Sequence, residues 1–342
     1  MCNLDFDPDI GSTYANQLHI NRTLLSNKYI IGNGIEIGAL ASPVIYNKNT
    51  TNIKYVDKFT HEEALKHYPE LKEFGVIQPD IIDDGEYLYT IKNESQDFVI
   101  ANHFLEHAEN PIRTIENIFR VLKNNGILYM AIPDKRYTFD KNRERTKLEH
   151  IIDEYLNCSY LKNREEHYLD FNNGNIEDAK IQLQAHYSIH FHIWQKEDLE
   201  ELFSYIKNTL NFKFEIEEIL YNYIENICIL RKKEVFISNE EFNELYEKGY
   251  KAFKNKEYIK SEFIFGRLIL YREKIEFKYL LGKSKLENKK YDEALNYLIE
   301  YIEEIDEIDS DLYQDIAICL EKTGDLETAE MYYYKYKELN NI

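Results

Sequence analysis

Residues 186–194, HYSIHFHIW, hold three histidines and the only tryptophan of the chain. If HFHIW runs as a short strand, its period of two sets His190, His192 and Trp194 on one face and Phe191 with Ile193 on the other. The apolar face would be buried, and the imidazole face admits three chemistries. It can wall a pocket, with His190 as a general base and His192 and Trp194 beside the substrate. It can offer two nitrogens to one divalent metal. His150 and Asp153, near one face of a preceding helix, can complete that set, so His150, His190 and His192 are the metal-ligand candidates. It can also be ordinary core. A second group lies upstream in PDKRYTFDKNRERTKLEHIIDEY, residues 133–155. There Asp134 is an alternative base. Lys135 and Arg136 suit an anionic or hydroxyl-rich ligand, although charge runs are also common on solvated loops.

Further chemistry-bearing residues stand where short apolar runs stop. The runs GIEIGA (34–39), NIKYVD (52–57), IQPDII (77–82), DFVIAN (97–102) and GILYMAIP (126–133) read as strands. Between the last two, PIRTIENIFRVLKNNG carries Ile112, Ile115, Ile118, Phe119 and Leu122 at helical spacing, with Pro111 in the first turn. KEDLEELFSYIKNTL (196–210) is a second amphipathic helix, and FKFEIEEIL (212–220) with NICILRK (226–232) can pair as an antiparallel edge. Strands alternating with helices predict an α/β fold: a Rossmann-like, doubly wound, mostly parallel sheet with an antiparallel edge. Ligands of such sheets lie at the carboxyl ends of the strands. Those ends carry Glu36-x-Gly38, then Asp57 about twenty residues on, where a carboxylate can accept ribose hydroxyls. They also carry DDGE (83–86) with Asp84, and ANHFLEH (101–107) with Asn102, His103 and His107. Residues 134–195 form an insertion after the fifth strand, long enough to cap the site.

At 342 residues the chain has room for two domains. All ten histidines and all six prolines lie at or before His192, and from about Val235 the chain reads as helix after helix. The expected domains are therefore 1–235 and 236–342. In the second, KGYKAFKNKEYIKSEFIFG aligns with LLGKSKLENKKYDEALNYL and DIAICLEKTGDLETAEMYY. Gly249, Gly282 and Ala317 are equivalent, as are Ser261, Ala294 and Ala329, at spacings of 33 and 35 residues. This resembles tetratricopeptide repeats, so a C-terminal all-α helical repeat domain that binds a protein partner is expected.

A net charge of −20 argues against a sequence-independent grip on nucleic acid. No run of eighteen apolar residues exists for a membrane span, and MCNLDFDPDIGS lacks the apolar core of a signal peptide. Cysteines 2, 158, 228 and 319 form no C-x-x-C pair and read as reduced thiols, so a cytoplasmic protein is expected.

GIEIGAL, YVD and DFVIANHFLEHAENPIRTIENIFRVLKNNGILYMAIPD, in this order and spacing, resemble class I S-adenosylmethionine-dependent methyltransferases over about residues 30–233. The resemblance implies S-adenosyl-L-methionine as cofactor. Glu36 and Gly38 would cradle its methionine end, Asp57 its ribose and Asp84 its adenine amine, while Asn102 and His103 would flank the sulfonium. The usual acidic-x-Gly-x-Gly-x-Gly becomes Glu36-x-Gly38-x-Leu40-x-Ser42. That loss hurts a dinucleotide reading more, because pyrophosphate needs close backbone approach. The 134–195 segment resembles a branch found alongside glycosyltransferases, which implies a sugar, nucleotide-sugar or glycoprotein acceptor. Lys135, Arg136, His107, His192 and Trp194 would meet that acceptor. His190 or Asp134 would take its proton, or a divalent metal would lower its pKa. Two other readings fit the same residues: a protein methyltransferase, and a protein-binding repeat module on a degenerate methyltransferase scaffold.

Overall fold

The computed structural model describes residues 8–73, 75–157, 159–234, 239–272, 274–306 and 308–340. Cys2, Cys158 and Val235 lie outside them. The chain divides into two compact units, Met1–Glu234 and Val235–Ile342.

The first unit contains α1 (Pro8–Tyr29), β1 (Gly32–Ile37), β2 (Thr51–Asp57), α2 (His61–His67), β3 (Ile81–Ile82), β4 (Gln96–Ile100), α3 (Pro111–Val121) and β5 (Leu122–Pro133). The insertion follows with α4 (Leu148–Asn157), α5 (Tyr160–Phe171) and α6 (Ile176–Gln184), and α7 (Lys196–Asn208), β6 (Phe214–Asn222) and β7 (Glu225–Lys232) close the unit. The seven strands lie in the order β3-β2-β1-β4-β5-β7-β6. β1 to β5 are parallel, and β7 runs antiparallel to both β5 and β6. The fold is thus the expected Rossmann-like sheet with an antiparallel edge. Strand order reverses between β1 and β4, where an open α/β sheet presents its crevice.

The central strands are apolar on both faces because helices cover both. Phe98, Val99, Ile100 and Leu128 to Ile132 are all fully buried. The apolar stripe of α3 lies against them, with Ile112, Ile115 and Ile118 at 0% exposure. The third strand is shorter than its sequence suggests. Pro79 has no N–H to donate, and the Asp80 carboxylate takes the Tyr55 N–H at 2.8 Å in place of a ladder bond. β5 starts four residues early, since Leu122 pairs with Gln96 before a bulge restores register at Phe98 and Ile127.

Among its described residues the second unit forms six helices: α8 (Asn239–Lys254), α9 (Tyr258–Tyr271), α10 (Ile275–Glu287), α11 (Tyr291–Glu304), α12 (Ser310–Thr323) and α13 (Leu326–Asn340). Each packs on its sequence neighbour. The small residues stand where helices approach closely. A Cβ on Gly249 would sit 2.7 Å from Ile264 Cγ2, and one on Gly282 would sit 2.8 Å from Leu298 Cδ2. Ser261, Ala294 and Ala317 are completely buried. Among the described residues, Cys228 and Cys319 are free and buried, and burial pushes both thiols up, Cys319 to about 12. No described helix is long and apolar enough to cross a membrane.

Candidate active site

A cavity of about 500 Å³ opens beyond the carboxyl ends of β1, β2 and β4. Gly38, at φ +62°, carries the chain out of β1. Leu40 then adopts φ +45°, a region that favours glycine, and both residues line the cavity. Asp57 ends β2 at the cavity wall, its Oδ1 accepting the Phe59 N–H at 3.0 Å. Beyond β3 the two adjacent aspartates divide their work. Asp83 is buried and fixes the turn, accepting from Asp84 N, Tyr89 N and both the N–H and hydroxyl of Thr90. Asp84 faces the cavity and takes the Glu86 N–H at 2.8 Å. Burial raises Asp57 and Asp84 above the usual carboxylate range, so both favour ligand donors. Gly85 leaves room beneath them, since a Cβ there would lie 2.5 Å from Ile37 Cγ2 and 2.6 Å from the Phe104 ring.

The opposite wall comes from the segment after β4 and from the insertion: His103, His107, Phe139, Phe171, Tyr187 and His190. His190 Nδ1 meets Asp140 Oδ2 at 2.6 Å, and Arg143 Nη1 donates to Asp140 Oδ1 at 2.7 Å. Burial alone would raise Asp140, but the His190 and Arg143 contacts hold it below its ordinary value. An ionised Asp140 accepts the Nδ1 proton, which leaves the lone pair of His190 on Nε2. His107 stands edge-on to His190, with ring centroids 4.7 Å apart. Its Nδ1 donates to the Ile189 carbonyl at 2.9 Å, and burial, then the His190 charge, depress it to about 3. His103 Nε2 meets Glu225 Oε2 at 2.9 Å, and Arg22 of α1 pairs with the same carboxylate. Burial would raise Glu225, yet Arg22 and His103 hold it down at about 2. Glu106 lies behind this wall, buried and without a hydrogen bond to either carboxylate oxygen, and burial lifts it to about 7.

The structure redistributes several residues that the sequence brings together. HFHIW is an extended segment, not a strand, with one isolated bridge between Trp194 and Asp134. The Glu106 carbonyl accepts from Phe191 N at 2.8 Å, and Ile193 N donates to the Thr146 hydroxyl. Both faces of the segment are buried, so alternation does not sort apolar from functional. His190 reaches the cavity. His192 is fully buried beside His150, Glu154 and His167, so His190 and His192 do not address one metal. Glu154, not the exposed Asp153, accompanies His150. Trp194 stacks on His192 at 5.8 Å and walls a separate cavity of about 240 Å³.

Asp134 does not line the large cavity. It is fully buried and accepts from Arg136 Nε at 2.9 Å and Nη2 at 2.6 Å. That pairing occupies both the proposed base and one proposed cation, and Lys135 Nζ is turned to the Lys141 carbonyl. Glu36 is also set back. Both its oxygens face the Val44 N–H, at 3.0 and 3.2 Å, and burial raises it to about 7, so it shapes the loop after β1 without lining the cavity. Asn102 lies outside the lining, its side-chain amide without a hydrogen bond. Asp140 and Arg143 stand within the charged segment after the fifth strand, but the sequence assigns neither of them a partner, and Glu106 carries no signal of its own. The D-x-x-R spacing of Asp140 and Arg143 was the available signal, hidden within a run that reads as surface charge.

Residues 31–205 match the methyltransferase-domain family, about half of the chain, and the protein belongs to that family. S-adenosyl-L-methionine as methyl donor follows from the membership. An uncharacterized protein of Methanocaldococcus jannaschii is 36% identical over 85 residues, which is 25% of this chain and 40% of that protein. The match thus spans about two fifths of the length of that curated relative. A Methanococcus maripaludis protein described as an S-adenosyl-L-methionine-dependent methyltransferase shares 18% identity, over 67% of this chain and 92% of that one, at a TM-score of 0.37. A methyltransferase of Aquifex aeolicus shares 10% identity, over 66% and 98% of the two chains, at a TM-score of 0.33.

Proposed function

We propose that the chain methylates a hydroxyl of a sugar, nucleotide-sugar or glycan acceptor, with His190 as general base. The observation that carries this reading is that His190, held from behind by Asp140, lines one cavity with the strand-end carboxylates Asp57 and Asp84. The cavity fits the cofactor by size and by chemistry. Its volume of about 500 Å³ suits a nucleoside-sized ligand. Two carboxylates raised by burial call for the hydroxyls of a ribose at Asp57 and an exocyclic amine at Asp84. Gly38 gives backbone access to the methionine end, and His103 stands across the cavity.

Bound S-adenosylmethionine supplies an electrophilic methyl group. His190 accepts the proton of the acceptor hydroxyl on Nε2, while Asp140 holds Nδ1–H and stabilises the imidazolium that results. Arg143 fixes Asp140 from the other side and donates to the His190 carbonyl at 3.0 Å. His107, neutral near pH 7, orients without adding charge. Phe139, Phe171 and Tyr187 offer ring faces to the C–H surface of a sugar, and the histidines meet its hydroxyls. An amine acceptor would need orientation but less of a base. The helical unit would dock a protein partner or a protein-borne acceptor through tetratricopeptide-like repeats. Incubating the protein with labelled S-adenosylmethionine and a panel of nucleotide sugars tests the reading. Label should enter a sugar, and His190→Ala should suppress it. Label entering only protein would favour a protein methyltransferase instead.

A further inference from the structure

Four side chains of the insertion converge away from the methyl-transfer cavity. His150 and Glu154 lie one turn apart on α4, with Nε2 and Oε1 separated by 3.0 Å. His167 on α5 places its Nε2 2.8 Å from the same Oε1 and 3.3 Å from the His150 Nε2. His192, from the extended segment, sets its Nε2 3.3 Å from Glu154 Oε2, and neither of these two atoms makes a hydrogen bond. Glu154 and His192 are at 0% exposure and His167 at 9%.

Hydrogen bonding accounts poorly for this arrangement. Two imidazole nitrogens crowd one carboxylate oxygen while the other oxygen and a third imidazole face each other unbonded. Buried polar groups are ordinarily satisfied. A cation held by His150 Nε2, Glu154 Oε1 and His167 Nε2, which lie within 4.8 Å of one another, accounts for that crowding, while His192 stands on the other carboxylate oxygen outside the set. Zinc–nitrogen bonds of about 2.0–2.1 Å put neighbouring ligand atoms about 3.3 Å apart, the separation seen between His150 and His167. The surroundings also suit a metal. Asn163 Nδ2 approaches Glu154 Oε1 at 3.4 Å, and Asn110 Nδ2 holds the Glu154 carbonyl at 3.0 Å. Trp194 stacks on His192 and Phe191 meets His167 edge-on, which keeps water away. The half-exposed His150 leaves an entry path.

We propose that His150, Glu154 and His167 bind one zinc ion that staples α4 to α5, with His192 packed against the far oxygen of the Glu154 carboxylate. None of the three ligands lines the methyl-transfer cavity, so the ion is structural and takes no part in methyl transfer. By fixing Glu154, whose Oε2 faces His192 at 3.3 Å, it steadies the segment that carries His190 two residues away. The assignment is independent of the proposed reaction.

The test is elemental analysis of the full chain, grown in zinc-replete medium and purified without a polyhistidine tag. One zinc per chain is expected. A strong chelator should remove it and lower the unfolding temperature, and zinc chloride, but not magnesium chloride, should restore both. His167→Ala should reduce bound zinc at least threefold. If that variant does not fold, His150→Ala at the exposed edge decides, through a loss of at least tenfold in zinc affinity against a chromophoric chelator. His190→Ala should keep its zinc. A zinc-free wild-type chain, undiminished zinc in the decisive variant, or zinc lost in His190→Ala would each overturn the proposal.

Discussion

Asp140 sets the protonation of His190, and that relation fixes what a substitution does. An asparagine at 140 can offer its amide N–H to Nδ1 and move the imidazole proton to Nε2, the wrong atom for a base. Asp140→Asn is therefore expected to lower methyl-transfer turnover about 10²–10⁴-fold, as His190→Ala does, with affinity for S-adenosylhomocysteine within about threefold. Steady-state kinetics beside calorimetry checks this, and unchanged turnover would remove His190 from the reaction. His107 leaves a different mark. Its folded value of about 3 lies below the ordinary 6.5, so between those values the unfolded chain binds more protons. Stability then falls as pH drops through 6.5. At pH 5 the loss from this one residue is about 1–2 kcal/mol. Glu225, held near 2, adds no loss until pH falls below about 4.5. Denaturant unfolding at pH 7 and pH 5, compared between wild type and His107→Gln, should isolate the His107 share. An equal pH dependence in both proteins would contradict it.

Among the elements, those with a strong period were legible in the sequence, and those set by long-range contacts were not. The stripe of α3 gave that helix its place, and the strand ends at Gly38, Asp57 and Asp84 marked three walls of the cavity. The antiparallel edge followed from alternation in β6 and β7. HFHIW misled because alternation assigns faces only when one side meets solvent, and here both sides are buried. The charged run after β5 misled for a related reason. Its carboxylates turn inward, Asp134 beneath the exposed Arg136 and Asp140 against the buried Arg143, and local sequence does not say where a charge points. Asn110 joins the legible and hidden parts. Its Oδ1 caps α3 by accepting the Arg113 N–H at 3.0 Å, and its Nδ2 reaches the Glu154 carbonyl in the insertion. Asn110→Ala should cost about 2 kcal/mol from the cap and the orphaned carbonyl. Asn110→Asp should keep the cap but set a carboxylate oxygen against the Glu154 carbonyl, so it should destabilise as well. A denaturation midpoint unchanged by Asn110→Ala would mean that the insertion does not depend on this tie.

Over the whole molecule, every histidine and proline lies within the first compact unit, which ends at Glu234. The cavity-lining residues all come from that unit. A chain ending at Lys233 is therefore expected to fold and to bind S-adenosylhomocysteine with the affinity of the full chain. A folded but non-binding product would show that the helical unit contributes to the site. The central claim is that the cavity beyond β1, β2 and β4 is the cofactor site. Titrating S-adenosylhomocysteine into the full chain and its Asp57→Ala variant by calorimetry tests that claim most directly. Saturable one-to-one binding is expected for the wild type. Asp57→Ala should lose about 1.5–3 kcal/mol, roughly 10- to 100-fold in affinity, the worth of charged hydrogen bonds. No binding by a folded wild-type chain, or equal affinity in the variant, would contradict the assignment.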